Sequence, residues 1–424
     1  MDKVARARLA LSGLTVYRNI LNDRLMGGFV RILEAANGVD LRGFTDAYGE
    51  FVMALSQQSD GLDFGACLSG LVRYDDNPFT RQAAGGRIGQ GLAAAASHDL
   101  AALTGVVGLT AADIKEAAGH NFADEEASAI IRELPEFKTG DGIFDGAQAD
   151  VYNEISEFYK KNGCGQFARY GAFRWQGGDG QNRLYGIAHP DPVTLADLKG
   201  YEYERGVVVD NTLDFLEGDS ANNILLYGDR GTGKSSTVKA VFNRYRSMGL
   251  RIIEVTRDCI VDFPLIVREI ADLPLKFIIF IDDLSFSDDD ANFSALKAVL
   301  EGGLASRPGN CVIYATSNRR HLVKESFSER QSDDVHAADT MQEKLSLADR
   351  FGITVTFSAP DQRLYFSIIE AMAADRGISV PKEELQRGAA QWALRFNGRS
   401  PRAARQYVDW AQSRLKRGQP VTNF

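Results

Sequence analysis

Residues 224–236 read ILLYGDRGTGKSS. Within them, residues 228–235 satisfy the pattern G-x-x-x-x-G-K-[ST], and they stand between an apolar strand-like run and the helical pattern of residues 235–245. The glycines of such a loop let consecutive backbone N–H groups point inward, and the following helix adds the positive end of its dipole. The stretch therefore predicts a phosphate-binding loop that holds a nucleoside triphosphate between a strand and a helix.

The residues of this loop have distinct predicted roles. Lys234 is expected to reach the β- and γ-phosphates, and the Ser235 hydroxyl is expected to ligate Mg²⁺. The other loop residues would surround the phosphates with backbone N–H groups. The predicted nucleotide-binding set is Gly228, Asp229, Arg230, Gly231, Thr232, Gly233, Lys234, Ser235 and Ser236.

A second apolar run, KFIIFIDD at residues 276–283, ends in two acids. Ligands of open α/β sheets bind at the carboxyl ends of the strands, which is where these acids would lie. Asp282 is expected to hold Mg²⁺ through water, and Asp283 is expected to orient or deprotonate the attacking water. Two acids can also mark a merely solvated strand end, but the phosphate-binding loop upstream favours the metal site.

A third apolar run, NCVIYATSN at residues 310–318, ends in an amide side chain. In α/β nucleotide-binding folds of the kind that this loop predicts, the strand lies between the phosphate-loop strand and the acidic strand. The Asn318 amide is then expected to bond to the attacking water or to the γ-phosphate. A GTPase would need an N-K-x-D base-reading motif, which the sequence lacks. ATP is therefore the expected nucleotide.

Five short β-branched runs alternate with helix-length segments in the second half of the chain. This alternation predicts a five-stranded parallel sheet covered by helices. After Pro360 only helical patterns remain, which predicts a small helical lid. The predicted strands are 224–227, 251–256, 277–282, 311–316 and 353–357.

The first half of the chain has a different character. Residues 1–135 carry apolar positions at three- and four-residue intervals, which predicts helices, and the isolated His98 and His120 indicate no catalytic site. Residues 136–195 are richer in Gly, Asp and aromatics, with two strand-like runs around the turn sequence GGDGQ. The predicted domains are a helical domain at 1–135, a connector with a β-hairpin at 136–195, the nucleotide-binding core at 196–359 and a helical lid at 360–424.

The predicted hairpin has two interpretations. Its aromatic side chains alternate with arginines, a combination that can stack on nucleic acid and neutralise its charge. Its aromatic face can instead pack on the next domain, and this second interpretation is favoured. The residues concerned are Tyr170, Phe173, Trp175, Tyr185, Arg169, Arg174 and Arg183.

Taken together, four stretches resemble an AAA+ ATPase, and more closely a prokaryotic P-loop AAA+ family of unknown function whose members are described only as ATP-binding proteins. They are GDRGTGKSS at 228–236, FIIFIDD at 277–283, YATSNRRHL at 314–322 and EKLSLADRFG at 343–352. The resemblance covers about residues 190–424. It implies a P-loop NTPase module of the AAA+ class, with ATP and Mg²⁺ as cofactors, ATP hydrolysis, and assembly into a homo-oligomeric ring or spiral.

The resemblance also implies three catalytic side chains besides Asp283. Asn318 corresponds to the sensor-1 residue, and Arg350 corresponds to an arginine finger offered to the neighbouring subunit's ATP. Arg402 is the choice for sensor 2, in the first turn of a last lid helix that Ser400 and Pro401 would begin. Alternative fingers are Arg319, Arg320 and Arg330, and alternative sensor-2 residues are Arg399 and Arg405.

Two departures from the AAA+ pattern limit what it implies. The acidic pair of the family usually ends in Glu, whereas Asp283 is one methylene shorter, so fast basal hydrolysis is not implied. The loop TRDCIVDFP at residues 256–264 lacks the aromatic-hydrophobic-glycine signature of machines that thread polypeptides. This argues against an unfoldase.

The composition bounds the class of protein. The 424 residues carry 48 Lys+Arg against 57 Asp+Glu, for a net charge of -9, and 44% are hydrophobic. These values suit a globular protein of two or three domains and disfavour nucleic-acid binding over the whole surface. The four cysteines form no metal-ligand or disulfide pattern, so a cytoplasmic location is expected. The longest apolar stretch, 91–112, is interrupted by His98 and Asp99, and no membrane segment is expected.

Two functions fit these observations. The first is a Mg²⁺-dependent ATPase that acts as an oligomeric motor or remodeller on an unknown protein client. The second is a slow ATP-dependent switch or loader that binds a protein or DNA partner, with hydrolysis only timing release.

Overall fold

The computed structural model describes residues 1–121, 125–140, 142–145, 148–177, 184–284, 291–301, 308–318, 350–396 and 398–422. The chain forms two compact units, Met1–Arg169 and Tyr170–Phe424, and each has a hydrophobic core of its own. The division falls inside the segment 136–195. The first part of that segment thus belongs to the helical unit, and its two strands belong to the second unit.

The first unit is built from helices whose apolar stripes face inward. In the helix Arg24–Ala35, Leu25, Phe29 and Ile32 are fully buried, at the spacing that one face of an α-helix presents. The described helices are α1 Lys3–Ser12, α2 Arg24–Ala35, α3 Leu41–Ser56, α4 Phe64–Arg73, α5 Pro78–Ala84, α6 Gln90–Val107, α7 Ala111–Gly119, α8 Glu125–Glu133, α9 Gln148–Asn162 and α10 Gly165–Arg169.

Polar groups inside this unit bond to one another. The fully buried Asp99 carboxylate accepts hydrogen bonds from the backbone N–H groups of Thr15 at 2.9 Å and Tyr17 at 3.0 Å. His98 Nδ1 lies 2.9 Å from the same carboxylate. Buried polar groups satisfied in this way stabilise the packing of the helices. The contact of His98 with Asp99 thus belongs to the packing of this unit.

The second unit contains a seven-stranded sheet. The predicted number of strands, five, was therefore too small. The strand order is β2-β1-β4-β5-β6-β3-β7. β1 and β2 are antiparallel, and every other neighbouring pair is parallel. The five predicted runs form β3 to β7 with nearly the predicted bounds. The strands are β1 Ala172–Trp175, β2 Leu184–Ile187, β3 Ile224–Gly228, β4 Leu250–Val255, β5 Lys276–Ile281, β6 Cys311–Ser317 and β7 Ile353–Phe357.

The two additional strands come from the predicted hairpin. β1 pairs in parallel with β4, with Phe173 opposite Ile253. Phe173 and Trp175 are buried, and a two-stranded hairpin with such side chains is barely stable by itself. Joining the sheet buries these side chains and pairs the backbone of β1 on both sides.

The strand order brings three chemically important strand ends together. β6 lies between β3 and β5, as expected, so the carboxyl ends of the phosphate-loop strand, the acidic strand and the Asn318 strand meet at one edge of the sheet. The described helices of this unit are α11 Glu202–Glu217, α12 Lys234–Tyr245, α13 Phe263–Ile270, α14 Ala291–Glu301, α15 Gln362–Asp375, α16 Lys382–Arg395 and α17 Pro401–Leu415.

No single helix within the described ranges is both long enough and apolar enough to cross a membrane. Among the described residues, α6 and α7 taken together, with a 74° bend between them, have the length and composition of a span.

Candidate functional site

The loop between β3 and α12 turns so tightly that several positions favour glycine, Gly228 and Gly233 among them. Gly228 has a φ of +135°, and a Cβ added there would lie 2.1 Å from the backbone oxygen of Phe357. Gly233 has a φ of +100° and directly precedes α12. Residues with side chains rarely adopt such conformations. The loop can therefore present its backbone N–H groups to an anion at the positive end of a 12-residue helix.

Lys234 is the first residue of α12, its side chain reaches back to the loop, and it is only 6% exposed. Its Nζ donates to the backbone oxygens of Gly228 at 2.9 Å and Asp229 at 2.7 Å, and to Asn318 Oδ1 at 3.1 Å. Burial lowers the pKa of Lys234, and the nearby Asp229, Asp283 and Asp282 carboxylates partly oppose that shift. An anion in the loop would favour the charged ammonium.

The Asp282 carboxylate is bound by hydroxyls from two different elements. Ser235 Oγ, in the first turn of α12, donates to Asp282 Oδ1 at 2.6 Å. Thr316 Oγ1, near the end of β6, donates to the same oxygen at 2.5 Å. The predicted metal ligands Ser235 and Asp282 are therefore adjacent.

The Asp283 carboxylate is held by the predicted sensor-1 residue. Asn318 Nδ2 donates to Asp283 Oδ1 at 2.5 Å, while Asn318 Oδ1 accepts from Lys234. One amide thus links the loop lysine to the second acid. Thr316 has no role predicted from the sequence, although the period of two along a strand places it on the same face as Asn318.

These residues fit Mg²⁺ together with a phosphate ligand. The Ser235 hydroxyl and the Asp282 carboxylate are oxygen donors, which Mg²⁺ prefers, and it commonly takes one or two carboxylates plus phosphates and waters. Within the part of the chain that the structure describes, no three His, Cys, Asp or Glu residues gather as a metal site. A divalent cation here would therefore take most of its ligands from a bound nucleotide and water.

A cavity of about 650 Å³ lies in front of the loop. Its basic lining residues outnumber the acidic ones by six to three, which favours an anionic ligand. Among the predicted residues, it is lined by Arg230, Gly231, Thr232, Gly233, Lys234, Ser235, Ser236, Asp282, Asp283, Asn318, Arg402 and the alternative Arg405. Lining residues without a predicted role are Asp197, Leu198, Lys199, Arg205, Thr237, Thr316, Phe357, Met372 and Pro401.

Comparison with known proteins places this unit in a family. Residues 168–415 match the family described as "Protein of unknown function (DUF815)". The chain belongs to the DUF815 family. The matched region spans all seven strands and the three C-terminal helices. No curated protein matches the sequence.

The chain is also similar to solved structures of a bacterial motor protein. One is the Thermotoga maritima RuvB Holliday junction branch migration motor, with 15% identity and a TM-score of 0.38 over 55% of this chain and 68% of that chain. Two variants of Thermotoga maritima RuvB, at 16% and 14% identity, each have a TM-score of 0.37 over the same shares.

The DUF815 region includes the helix that carries Arg402. α17 begins at Pro401 and is capped by Ser400, whose Oγ accepts from Ala403 N at 3.1 Å. Arg402 N donates to the backbone oxygen of Gly231 at 3.1 Å, so the helix start contacts the phosphate loop directly. Arg402 and Arg405 both line the cavity, and its lining does not include Arg399.

Arg350 lies elsewhere in the same region. It is half-buried and precedes the amino end of β7, whereas the carboxyl end of β7 meets the phosphate loop. Arg350 is therefore at the opposite edge of the sheet from the cavity formed by its own chain. The alternative fingers Arg319, Arg320 and Arg330 lie outside the described residues.

The hairpin residues are engaged in packing. Phe173 and Trp175 are at most 1% exposed, and Trp175 Nε1 donates to Asp262 at 3.0 Å. Arg174 pairs with Glu254 of β4 at 2.9 Å. Buried rings cannot stack on nucleic acid, so these residues support the packing interpretation. Tyr185 is 49% exposed, and Arg183 lies outside the described residues.

Proposed function

We propose that this protein binds ATP with Mg²⁺ and hydrolyses it as an AAA+ ATPase. The observation that carries the proposal is the convergence of Lys234, Ser235, Asp282, Asp283 and Asn318 from three strand ends around one glycine-rich loop. The strand order β7-β3-β6-β5-β4 also supports it, because the Asn318 strand inserts between the loop strand and the acidic strand.

Each residue has a proposed part in the reaction. Lys234 holds the β- and γ-phosphates, while the backbone of residues 228–236 surrounds them. Ser235 and Asp282 hold Mg²⁺, which when bound neutralises phosphate charge. Asp283 orients the attacking water and accepts its proton, and Asn318 positions that water or the γ-phosphate.

The two arginines extend this site beyond the loop. Arg402 contacts the γ-phosphate from the lid as sensor 2, which its bond to the loop and its place in the cavity lining support. Arg350 acts as a finger on the ATP of a neighbouring subunit, because it lies at the edge of the sheet away from its own loop. The proposed working form is a homo-oligomeric ring or spiral that moves or remodels an unknown protein client.

We further propose a division of labour along the chain. The core 196–359 binds the nucleotide and the lid 360–424 closes over it, after the helical domain 1–135 and the connector 136–195. Cys67, Cys164 and Cys259 are free thiols. Free thiols suit a reducing compartment, and we place the protein in the cytoplasm.

The proposal is tested by steady-state ATPase assays of the wild type and Lys234→Ala. Removing the ammonium should lower turnover by about 10²–10³-fold, the usual cost of one charge-stabilising donor. Lys239→Ala is the matched control, because Lys239 lies on the same helix, is partly exposed and is 3.7 Å from Asp191 rather than in the loop. It should retain the wild-type rate.

Absence of nucleotide binding by the wild type would refute the proposal. The same preparations should be sized by light scattering with and without ATP, because a strictly monomeric protein with full turnover would exclude the finger role of Arg350. Assays with added DNA, RNA or unfolded protein identify the client class by the stimulant that raises turnover.

A slow switch or loader is the second candidate, and the contacts of Asp283 favour it. The Asp283 side chain is short, and its carboxylate accepts a hydrogen bond from Asn318 Nδ2 at 2.5 Å. This bond restrains the carboxylate from contacting an attacking water. A switch predicts ATP-dependent retention of a protein or DNA partner with weak basal turnover. Equal retention with and without ATP would exclude it.

A further inference from the structure

The two acids of the site point the same way although they are consecutive. In an extended strand, successive side chains point to opposite faces. Yet Asp282 bonds to Ser235, Asp283 bonds to Asn318, and both line the same cavity. A regular continuation of β5 cannot produce this arrangement, so the backbone must change direction between them.

The change of direction is visible in the backbone of Asp283. Its φ is +53°, in the left-handed region, which few residues other than glycine adopt. Asp and Asn tolerate this region better than other residues with side chains. Glu at this position would carry the longer side chain but would fit the turn less well. The left-handed turn therefore accounts for Asp, rather than Glu, as the second acid.

Thr316 holds both backbone N–H groups of this turn. Its hydroxyl accepts from Asp283 N at 3.0 Å, and its backbone oxygen accepts from Leu284 N at 2.7 Å. The regular pairing of β5 with β6 ends one residue earlier, at Ile281 opposite Ala315. The chain that follows β5 thus leaves the sheet next to Thr316.

The same hydroxyl also fixes the first acid. Thr316 Oγ1 donates its single proton to Asp282 Oδ1 at 2.5 Å while its lone pair accepts from Asp283 N. Thr316 is 2% exposed, so water competes little for these bonds. One buried hydroxyl therefore sets the direction of both carboxylates.

We propose that Thr316 is a positioning residue for the metal site and the water-activating acid. This inference rests on the proposed ATPase function. Thr316 contacts neither nucleotide nor metal in this account; it acts by orienting Asp282 toward Mg²⁺ and by holding the turn that directs Asp283 into the cavity.

The test compares Thr316→Val, which removes the hydroxyl at nearly constant shape, with Thr316→Ser, which keeps it. The first readout is ADP affinity by calorimetry, with Mg²⁺ and with EDTA. In Thr316→Val the affinity in EDTA should equal that of the wild type, while the gain in affinity from Mg²⁺ should shrink by about 10–100-fold, the usual effect of losing a partner of a metal ligand. Thr316→Ser should restore the gain.

The second readout is the dependence of turnover on Mg²⁺. Thr316→Val should lower kcat by about 10–100-fold with little change in the KM for ATP, and should raise the Mg²⁺ concentration needed for half-maximal rate. A hydroxyl needed only for packing would change none of these. Thr212→Val is the matched control, because Thr212 is a fully buried threonine of the same unit that bonds to Val208 and Tyr314.

The outcomes separate this inference from the proposed function. A wild type that neither binds nor hydrolyses ATP refutes the proposed function. A wild type that hydrolyses ATP, with Thr316→Val showing the same Mg²⁺ dependence, overturns the inference alone. Folding is followed by tryptophan fluorescence, since all three tryptophans lie in the second unit. If Thr316→Val does not fold, Thr316→Ala replaces it with the same readouts and the same overturning result.

Discussion

Lys234 combines burial with a complete set of oxygen acceptors. Its three bonds, to two loop oxygens and to Asn318, keep the ammonium in the loop. A triphosphate offers stronger, charged acceptors at the same place. Binding would therefore exchange acceptors around an ammonium that is already positioned, so little side-chain entropy is lost.

The lowered pKa of Lys234 predicts that nucleotide binding takes up a proton at alkaline pH. Burial lowers the pKa in the free protein, and phosphate charge raises it in the complex. As pH rises through the lowered pKa, free Lys234 loses its proton and the affinity for ADP should decrease. This decrease should begin at a lower pH than it would for a lysine with the usual pKa of 10.5. Calorimetry in buffers of different ionisation enthalpy measures the uptake.

Lys234→Arg is the control for this prediction, because arginine stays protonated throughout the range. The variant should bind ADP without proton uptake at alkaline pH. Equal uptake by the two proteins would assign the proton to another group.

At this scale, the motif residues could be proposed from the sequence because their expected roles depend on a local pattern. Lys234 and Ser235 follow from the loop pattern alone. The proposed role of Thr316 could not be predicted, because it depends on the register of β6 against β5 and on the φ of Asp283. Neither quantity is encoded in a short stretch of residues.

At the scale of elements, the phosphate loop is attached to two neighbours. Asp229 N donates to Phe357 O at 2.9 Å, and Asp229 Oδ2 accepts from Ala359 N at 2.6 Å. Gly231 O accepts from Arg402 N. The loop therefore connects the end of β7 with the start of α17, which carries the proposed sensor.

We predict that Gly228→Ala disrupts this connection. The added Cβ would lie 2.1 Å from Phe357 O, so β7 or the loop must shift. The variant should lose about 1–3 kcal/mol of unfolding free energy in the second unit, the usual cost of one strained backbone position, and should bind ADP more weakly. Urea unfolding followed by tryptophan fluorescence measures the first effect, and calorimetry measures the second.

Gly206→Ala is the matched control. Gly206 lies within α11, and a Cβ there would meet no atom within 4 Å. Alanine should stabilise that helix by about 0.5–1 kcal/mol. Equal effects of the two substitutions would show that the close approach at Phe357 is unimportant.

The positions of strands could be predicted where the apolar pattern of a segment is enough to identify it, without knowledge of the strand that it pairs with. Strands β3 to β7 follow from β-branched runs. The attachment of the hairpin to β4 could not be predicted, because parallel pairing joins segments that are distant in sequence, such as Arg174 and Glu254. The predicted number of strands in the sheet was therefore too small.

At the scale of the whole molecule, the two units have separate cores and contrasting chemistry. The helical unit buries aromatic side chains such as Phe29, Phe51 and Phe64 against one another. The sheet unit carries the basic cavity, although the chain as a whole has a net charge of -9. Overall acidity is thus compatible with a local site for an anion.

An oligomeric site predicts complementation between two inactive variants. Arg350→Ala alone should lose about 10³-fold or more in turnover, as expected for an arginine finger, while still binding ATP. Mixed with Lys234→Ala, it should regain activity, because the intact loop of one subunit would receive the intact arginine of the other. ATPase assays of the mixture and of each protein alone measure this.

The control for complementation is Arg42→Ala. The Arg42 side chain is 91% exposed and 3.8 Å from Asp46 on the same helix, so its loss should leave turnover unchanged. No regain in mixtures that assemble normally would contradict the finger role.

β7 connects the phosphate loop with the segment that carries Arg350. Its carboxyl end bonds to Asp229 of the loop, and its amino end, five residues or about 16 Å away, follows Arg350. β7 is paired with β3 along its whole length. In the proposed ring, a displacement of one subunit's loop would reposition the arginine that serves the next subunit. ATP binding in one subunit and catalysis in the next would then be coupled through β7.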